Sequence, residues 1–335
     1  MAAGALFPIS SNGKMGYIDV KGSVRIPPQF DLAHSFSEGL AWIANWDAGG
    51  KTDPFSRGLK ANCGYINPAG EVVIPPTFDE ALNFQDGLAA VRVGKRYGFI
   101  NAEGKMVVEP QFEQVCEYSE GLATGRIKNK WQVLDTAGAV VFAIEARTVV
   151  SCHDGLLRCE RNKKWSYLDR TGKSAIELTC TAAEDFSEGL AAVLKNRRIG
   201  CIDTSSAWVI PPRFAQGGRF REGFSRVEFA KDGPYDPTRG QDFGFVDRKG
   251  DRNPPGSFAS AGQFSEGLAA VKEKWDGPWK YIDTSGKVKI PEIQCRDAGE
   301  FQNGLAVIQE KDPNTGYTLY GYIDKKGKTV WKPQA

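Results

Sequence analysis

Leu88-Ala-Ala-Val-Arg-Val-Gly94-Lys95-Arg-Tyr97-Gly98-Phe99-Ile100-Asn101-Ala-Glu-Gly104-Lys-Met-Val-Val-Glu-Pro110-Gln-Phe112 decides the fold of this 335-residue chain. It reads as strand, tight turn, strand, tight turn, strand, because β-branched and alternating apolar residues fill three short runs separated by Gly-containing turns. The same pattern recurs along the whole chain. Its markers are Asp19, Asn67, Asn101, Asp135, Asp169, Asp203, Asp247, Asp283 and Asp324, with Phe-Ser-Glu-Gly-Leu blocks such as Phe36 to Leu40 and Phe186 to Leu190 between them. From each Asp or Asn to the Leu or Phe of the next block is 21 residues seven times running, then 22 to Leu305. The return leg is 13 residues from Leu6, Leu88, Leu122, Leu156 and Leu190, but 27 from Leu40, 23 from Phe224, 15 from Leu268 and 19 from Leu305. Length variation is therefore confined to one loop per unit, and in stacked repeats such insertions gather on one face, often the binding face.

This regularity predicts one repeat array over residues 1–335, with units 1–35, 36–83, 84–117, 118–151, 152–185, 186–219, 220–263, 264–300 and 301–335. In each unit Asp/Asn-x-x-Gly closes a hairpin: the side chain bonds turn amides and Gly takes a positive φ. Asp203 to Ser206 lacks the Gly, which predicts a strained or reshaped turn. The middle strand is apolar on both faces, with Tyr17, Tyr65, Phe99 and Tyr167 pointing one way and Ile18, Ile66 and Ile100 the other. Such a strand needs a layer on either side, and the nearby Gly is expected to admit a neighbouring backbone or bulky side chain. Pro-Pro-x-Phe (Pro27, Pro28, Phe30; Pro75, Pro76, Phe78; Pro211, Pro212, Phe214) is expected to end the ladder and send the chain across to the next unit.

Lys and Arg number 43 against 41 Asp and Glu. No strong field is present to attract nucleic acid or anionic membrane. No apolar run approaches membrane-spanning length, and Met1 to Ser10 lacks a basic leader with an apolar core, so a cytoplasmic location is expected. Six of the seven cysteines fall on core positions of the repeat: Cys63 and Cys201 replace strand aromatics, Cys180 and Cys295 replace the Phe of Pro-Pro-x-Phe, Cys152 replaces Phe36 and Cys159 replaces Val91. They read as buried free thiols, while Cys116 occupies a variable position. Cys152, His153 and Cys159 match no compact zinc spacing, and neither metal nor cofactor is expected.

The run Phe-x-Glu-Gly-Leu-Ala-x-Val, aromatic-Gly-Tyr-Ile-Asp-x-x-Gly, Val-Ile-Pro-Pro-x-Phe resembles the WG (KWG) β-repeat family, common in bacterial proteins. The resemblance covers essentially the whole chain and implies a β-repeat scaffold with no general activity. The chain departs from the name motif at Trp131-Gln132, Trp165-Ser166 and Trp279-Lys280, and Glu177-Leu178 stands where the fifth unit would carry Pro-Pro. Nine units exceed the usual blade count of a propeller, and neither terminal unit leaves a strand to complete the other. The expected architecture is therefore all-β, with tandem three-stranded meanders stacked as an open, twisted superhelix or solenoid. A closed, propeller-like ring is the alternative.

Chemistry beyond scaffold is offered by the enlarged loops between the first and second strands of units two, seven, eight and nine. Trp46 and Asp47, Tyr235 and Asp236, Trp275 and Asp276, and Asp312 place aromatic rings beside acids there, which suits recognition from a rigid support. Protein or peptide binding is the leading reading. Stacking of a carbohydrate or small molecule on Trp46, Tyr235 and Trp275 is an alternative, as is an enzyme using paired carboxylates of Asp47, Asp236 and Asp276. The chain has only two histidines and lacks a nucleophile elbow, phosphate loop or paired-His metal motif.

Overall fold

A computed structural model describes residues 4–46, 61–230 and 242–334. Among them there is no helix, and the strands fall into eight antiparallel sheets: one three-stranded, six four-stranded and one six-stranded. The six-stranded sheet joins two repeat units through the long strand Trp208–Arg221. Its first part pairs with Arg198–Asp203 and its second with Phe224–Phe229, so nine units occupy eight sheets.

Within a sheet the predicted three strands are present. In the second sheet they are Ala41–Trp46, Ala61–Ile66 and Val72–Phe78; in the third, Leu88–Val93, Arg96–Asn101 and Met106–Phe112. The hairpin turns form as their residues dictate. Asp19 Oδ1 accepts from the amides of Lys21 and Ser23 at 2.9 and 3.0 Å, the Gly22 amide donates to the Asp19 carbonyl, and Gly22 has φ +83°. At Asp203 to Ser206 the hairpin is kept rather than reshaped: Ser206 takes φ +72° while its amide still bonds Asp203. Strain there is the ordinary cost of a side chain in the left-handed region.

Two expectations are corrected. Pro-Pro does not end the ladder: Val24–Phe30 and Val72–Phe78 run through it as the closing strands of their sheets. An edge strand needs no outward N–H, and a register shift between Tyr17↔Ile26 and Met15↔Phe30 accommodates the two prolines. Nor is the crossover a loop. Leu32–Ala33, Glu80–Ala81, Gln114–Ser119, Ser260–Ala261 and Asp297–Gln302 each pair with the strand that follows, opening a four-stranded sheet, and Ala182–Ala183 opens the six-stranded one in the same way. Four-stranded meanders whose opening strand comes from the crossover are the blades of a β-propeller. The expected stack of three-stranded layers is thereby overturned: the repeat is built of propeller-type blades.

The chain divides into two compact units, residues 1–162 with 168–173, and residues 163–167 with 174–334. Inside each, the core lies between neighbouring sheets. In the first, Cys63, Tyr65, Ile74 and Phe78 of one sheet pack with Ala81, Phe84, Ala89, Val91 and Ile100 of the next. In the second, Trp279, Tyr281, Ile290 and Ile293 pack with Phe301, Ala306, Ile308 and Ile323. Each fully buried side chain of this kind contributes roughly 1.5–3 kcal/mol. The Tyr hydroxyls find partners in the neighbouring sheet: Tyr65 Oη donates to the Leu82 carbonyl at 2.8 Å and Tyr281 Oη to Gly299 at 2.6 Å. Burial pushes both phenols above their ordinary range.

The Phe-Ser-Glu-Gly-Leu block closes the hairpin between opening and second strands. Consecutive positive φ values, 51° at Glu38 and 82° at Gly39, make a type I′ turn. It also clasps the next sheet. Glu38 accepts the amides of Asp86 and Gly87 at 2.9 Å, and Glu120 those of Asp154 and Gly155 at 2.8 Å. In the second compact unit Glu222 accepts those of Glu266 and Gly267 at 2.6 and 2.9 Å. The Ser hydroxyl donates in the same direction, Ser37 to Phe84 O and Ser187 to Phe220 O, both at 2.7 Å. Carboxylate on backbone amides is the stronger kind of hydrogen bond.

Candidate functional site

An antiparallel meander sorts its connections by end. The Phe-Ser-Glu-Gly-Leu and Asp-x-x-Gly turns share one end of each sheet. The variable loops, which join the second and third strands of the four-stranded sheet, share the other end with the crossovers.

At that end the Lys274-Trp275-Asp276-Gly277 turn joins Leu268–Lys272 to Trp279–Asp283 and is closed by the Gly277 amide on the Lys274 carbonyl at 3.0 Å. The turn places Trp275 and Asp276 at its tip, where Trp275 is 60% exposed, far more than the buried tryptophans of the repeat. Lys272 props the loop from below: its Nζ donates to the Trp275 carbonyl at 3.4 Å and lies 5.2 Å over the Trp279 ring. Glu273 pairs with Lys280 at 3.1 Å.

Trp275 and Asp276 border a pocket of about 420 Å³ whose other walls are Glu273, Lys274 and the crossover residues Ser257, Phe258 and Ala259. Ser257 Oγ donates to Asp242 Oδ1 at 2.7 Å, and Asp242 pairs with Arg252 at 3.1 Å, whose guanidinium stacks 3.6 Å from the Phe229 ring. A fixed ionic platform therefore supports the crossover wall. An exposed indole above a shallow, acid-rimmed pocket is suited to stacking and polar contact with an incoming chain or ligand.

The other expected residues are placed differently. Asp47, Tyr235 and Asp236 lie outside the described residues, so the carboxylate pairing they were to make with Asp276 is not described. Trp46 ends Ala41–Trp46 in the first compact unit; its amide donates at 2.9 Å to Asp31, which also binds Lys14. The Asp312 carboxylate serves its own loop, accepting from the amides of Asn314 at 2.8 Å and Thr315 at 3.3 Å. The first of these bonds leads in holding its pKa below the ordinary value. Of the expected residues, Trp275 and Asp276 are the two that the structure brings into one pocket.

Ser257 and Phe258 were missed in the sequence. The signal was the strand count: once the crossover is an opening strand, its start must share an end with the variable loop. Tyr317, 74% exposed after the Asp312 loop, is a further surface aromatic whose side chain the repeat pattern does not explain. None of the seven cysteines is in a disulfide, and burial leads in raising the thiol pKa of Cys63 to about 11 and of Cys152 and Cys201 to about 12. No group of three or more His, Cys, Asp or Glu among the described residues is arranged to hold a metal ion. None of them forms a helix long and apolar enough to cross a membrane.

The profile of the WG containing repeat matches residues 15–45, 64–97, 97–131, 165–197, 199–231 and 279–312, more than half of the chain. The chain belongs to the WG containing repeat family. Among solved structures, this WG-repeat chain is similar to one described as a eukaryotic initiation factor, with a TM-score of 0.67 at 10% identity over 99% of this chain and 96% of that one. That likeness shows a shared fold. Weaker similarity is found to Hsv2 of Kluyveromyces marxianus, with a TM-score of 0.34 at 11% identity over 70% of this chain and 92% of that one. A protein of unknown function from Bacteroides caccae gives 0.28 at 16% identity over 63% and 91%. No curated protein matches the chain.

Proposed function

We propose that this WG-repeat chain is a non-catalytic scaffold that recognises a protein or peptide partner, with specificity in the loops between the second and third strands of units two, seven, eight and nine. The observation that carries the reading is Trp275: a large aromatic held in solvent at a loop tip by a braced turn, beside a pocket rimmed by Asp276 and Glu273. A buried scaffold role would place that indole inside, as it does Trp131 and Trp279. Exposed aromatics on rigid loops are the usual anchors of protein interfaces. The family and fold support the coarser statement that the chain is an interaction scaffold. The small pocket favours, as a second reading, a carbohydrate or small molecule stacked on the same indole.

The test is affinity capture from the native cell with the intact chain and with Trp275→Ala. Binding at this loop end predicts that at least one captured protein is lost, roughly tenfold or more as befits an anchor residue, while the melting temperature is unchanged. Identical captured sets would refute the assignment. Loss of a glycan or metabolite instead of a protein would favour the second reading.

A further inference from the structure

A closing strand leaves one edge of its sheet with unpaired N–H and C=O groups, an invitation to another strand that folded proteins usually blunt. In this chain the blunting is nearly complete. Closing strands Val24–Phe30, Val72–Phe78, Met106–Phe112, Val288–Ile293 and Thr329–Gln334 carry Pro28, Pro76, Pro110, Pro291 and Pro333. Trp208–Arg221 carries Pro211 and Pro212 and is covered further on by the strand Phe224–Phe229, and the segment 252–258 holds Pro254 and Pro255. Ser174–Glu177 is only four residues long. Edges of opening strands lie against the neighbouring sheet, as where Ser119 Oγ donates to Cys152 O and Ser151 Oγ to Glu117 O.

Val140–Glu145 is the exception. Its six residues, Val-Val-Phe-Ala-Ile-Glu, contain no proline and stand last in the order of their sheet. A single register shift lies at its start; from Phe142 to Glu145 it pairs residue for residue with Val133 to Lys130. Val140 and Val141 are 50% and 44% exposed. Among the described residues, none outside its own sheet hydrogen-bonds to it.

We infer that Val140–Glu145 is a dimer seam, where two copies of this chain pair these strands antiparallel about a two-fold axis. A two-fold contact must complement itself, and this strand does. With the axis at Ala143, the smallest side chain meets its own copy, and Phe142 faces Ile144 of the second copy in both directions, a favourable cross-strand pairing. Val140 to Ile144 contains no charge, so two identical copies bring no like charges together there. Arg25, Glu109, Lys289 and Lys332 stand inside other closing strands, and Val72–Phe78, which carries no charge, is blunted by Pro75 and Pro76. Among the described residues no other uncovered closing strand of more than four residues lacks a proline, so the matching edge is the same one on a second copy.

Sedimentation velocity over a rising concentration series tests the seam with the full chain and two variants. Ala143→Lys puts like charges opposite one another on the two-fold axis, at an exposed position of the edge. Gln132→Gly with Ala143→Pro and Ile144→Pro transplants the blunted edge of the sibling sheets, including the Gly that makes room for it. The seam predicts a dimer for the parent and a monomer for each variant that retains the parent's circular dichroism. Ala143→Lys keeps the test valid if the triple variant does not fold. A parent that is monomeric at every concentration, including one whose edge is taken by an extended segment of a different protein, overturns the inference. So does a dimer that survives Ala143→Lys.

Discussion

Gly98 shows how one residue type fixes a repeat. A Cβ added there would stand 2.4 Å from the Val108 carbonyl oxygen and 2.9 Å from Pro110 N, with backbone on both counts and nothing flexible to give. Gly16, Gly64, Gly200 and Gly321 meet the same closing-strand backbone at 2.5 to 2.6 Å. Each of these glycines has a proline twelve residues on: Pro28, Pro76, Pro110, Pro212 and Pro333. Where the Gly is lost, at Gln132, Ser166 and Lys280, the position twelve residues on is Ile144, Leu178 or Glu292. In the Gln132 unit Trp131↔Ile144 and Val133↔Phe142 then pair without a shift between them. The departures from the name motif are thus one half of a matched exchange. Gly98→Ala is expected to cost about 1–3 kcal/mol as an overpacked backbone contact, against near neutrality for an exposed substitution. Chemical denaturation measures it, and a cost near zero would show that the bulge does not need its Gly. Both halves of this exchange stand in the sequence, but the contact that links them required a register no periodicity supplies.

At the scale of the element, the Asp-x-x-Gly hairpins are bound by carboxylates whose pKa the folded state lowers. The Ser23 amide leads at Asp19, the Thr171 hydroxyl at Asp169, and the Ser205 and Ser285 hydroxyls at Asp203 and Asp283. A carboxyl with a lowered folded pKa adds stability that is present above its unfolded value, about 4, and is lost as pH falls through the folded value. Denaturation midpoints are therefore expected to hold from neutrality to about pH 4 and to fall below it. Asp283→Asn should flatten that acid limb. Asn is compatible with the turn, because Asn67 Oδ1 accepts the amides of Ala69 and Glu71 at 3.0 Å as Asp does elsewhere. An acid limb unchanged by the substitution would remove the turn carboxylate from the account. These hairpins were legible because the Asp, the Gly and the flanking β-branched residues agree. The Phe-Ser-Glu-Gly-Leu block was less so: its Glu-Gly pair makes a turn inside the sheet, while its Ser and Glu side chains reach the next one, and contacts between sheets leave no local pattern.

For the molecule as a whole, the repeat length, the three hairpin strands and the buried Cys63, Cys152, Cys159 and Cys201 could be read directly, since each rests on spacing or on substitution at a core position, whereas Cys180 and Cys295, expected to be buried as well, are only half-buried. The fourth strand could not. Leu32–Ala33 and Glu80–Ala81 are two residues long, too short to show alternation, and the prolines just before them suggested a break rather than an edge. That omission turned propeller blades into three-stranded layers, and the count of nine units then argued for a superhelix. It also hid the crossover wall of the Trp275 pocket, while Trp275 itself stood out because it lies off the repeat register. Hydrogen exchange at the crossover amides tests the four-stranded account most directly. The amides of Asp79 and Leu82 bond Arg92 O and Ala90 O at 2.9 Å, Glu184 bonds Ala192 O at 2.9 Å, and Gly262 bonds Ala270 O at 2.8 Å. Slow exchange at these sites, comparable to that of the neighbouring second strands, is the predicted result. Exchange at the rate of solvated loops would contradict the account and return the chain to three-stranded layers.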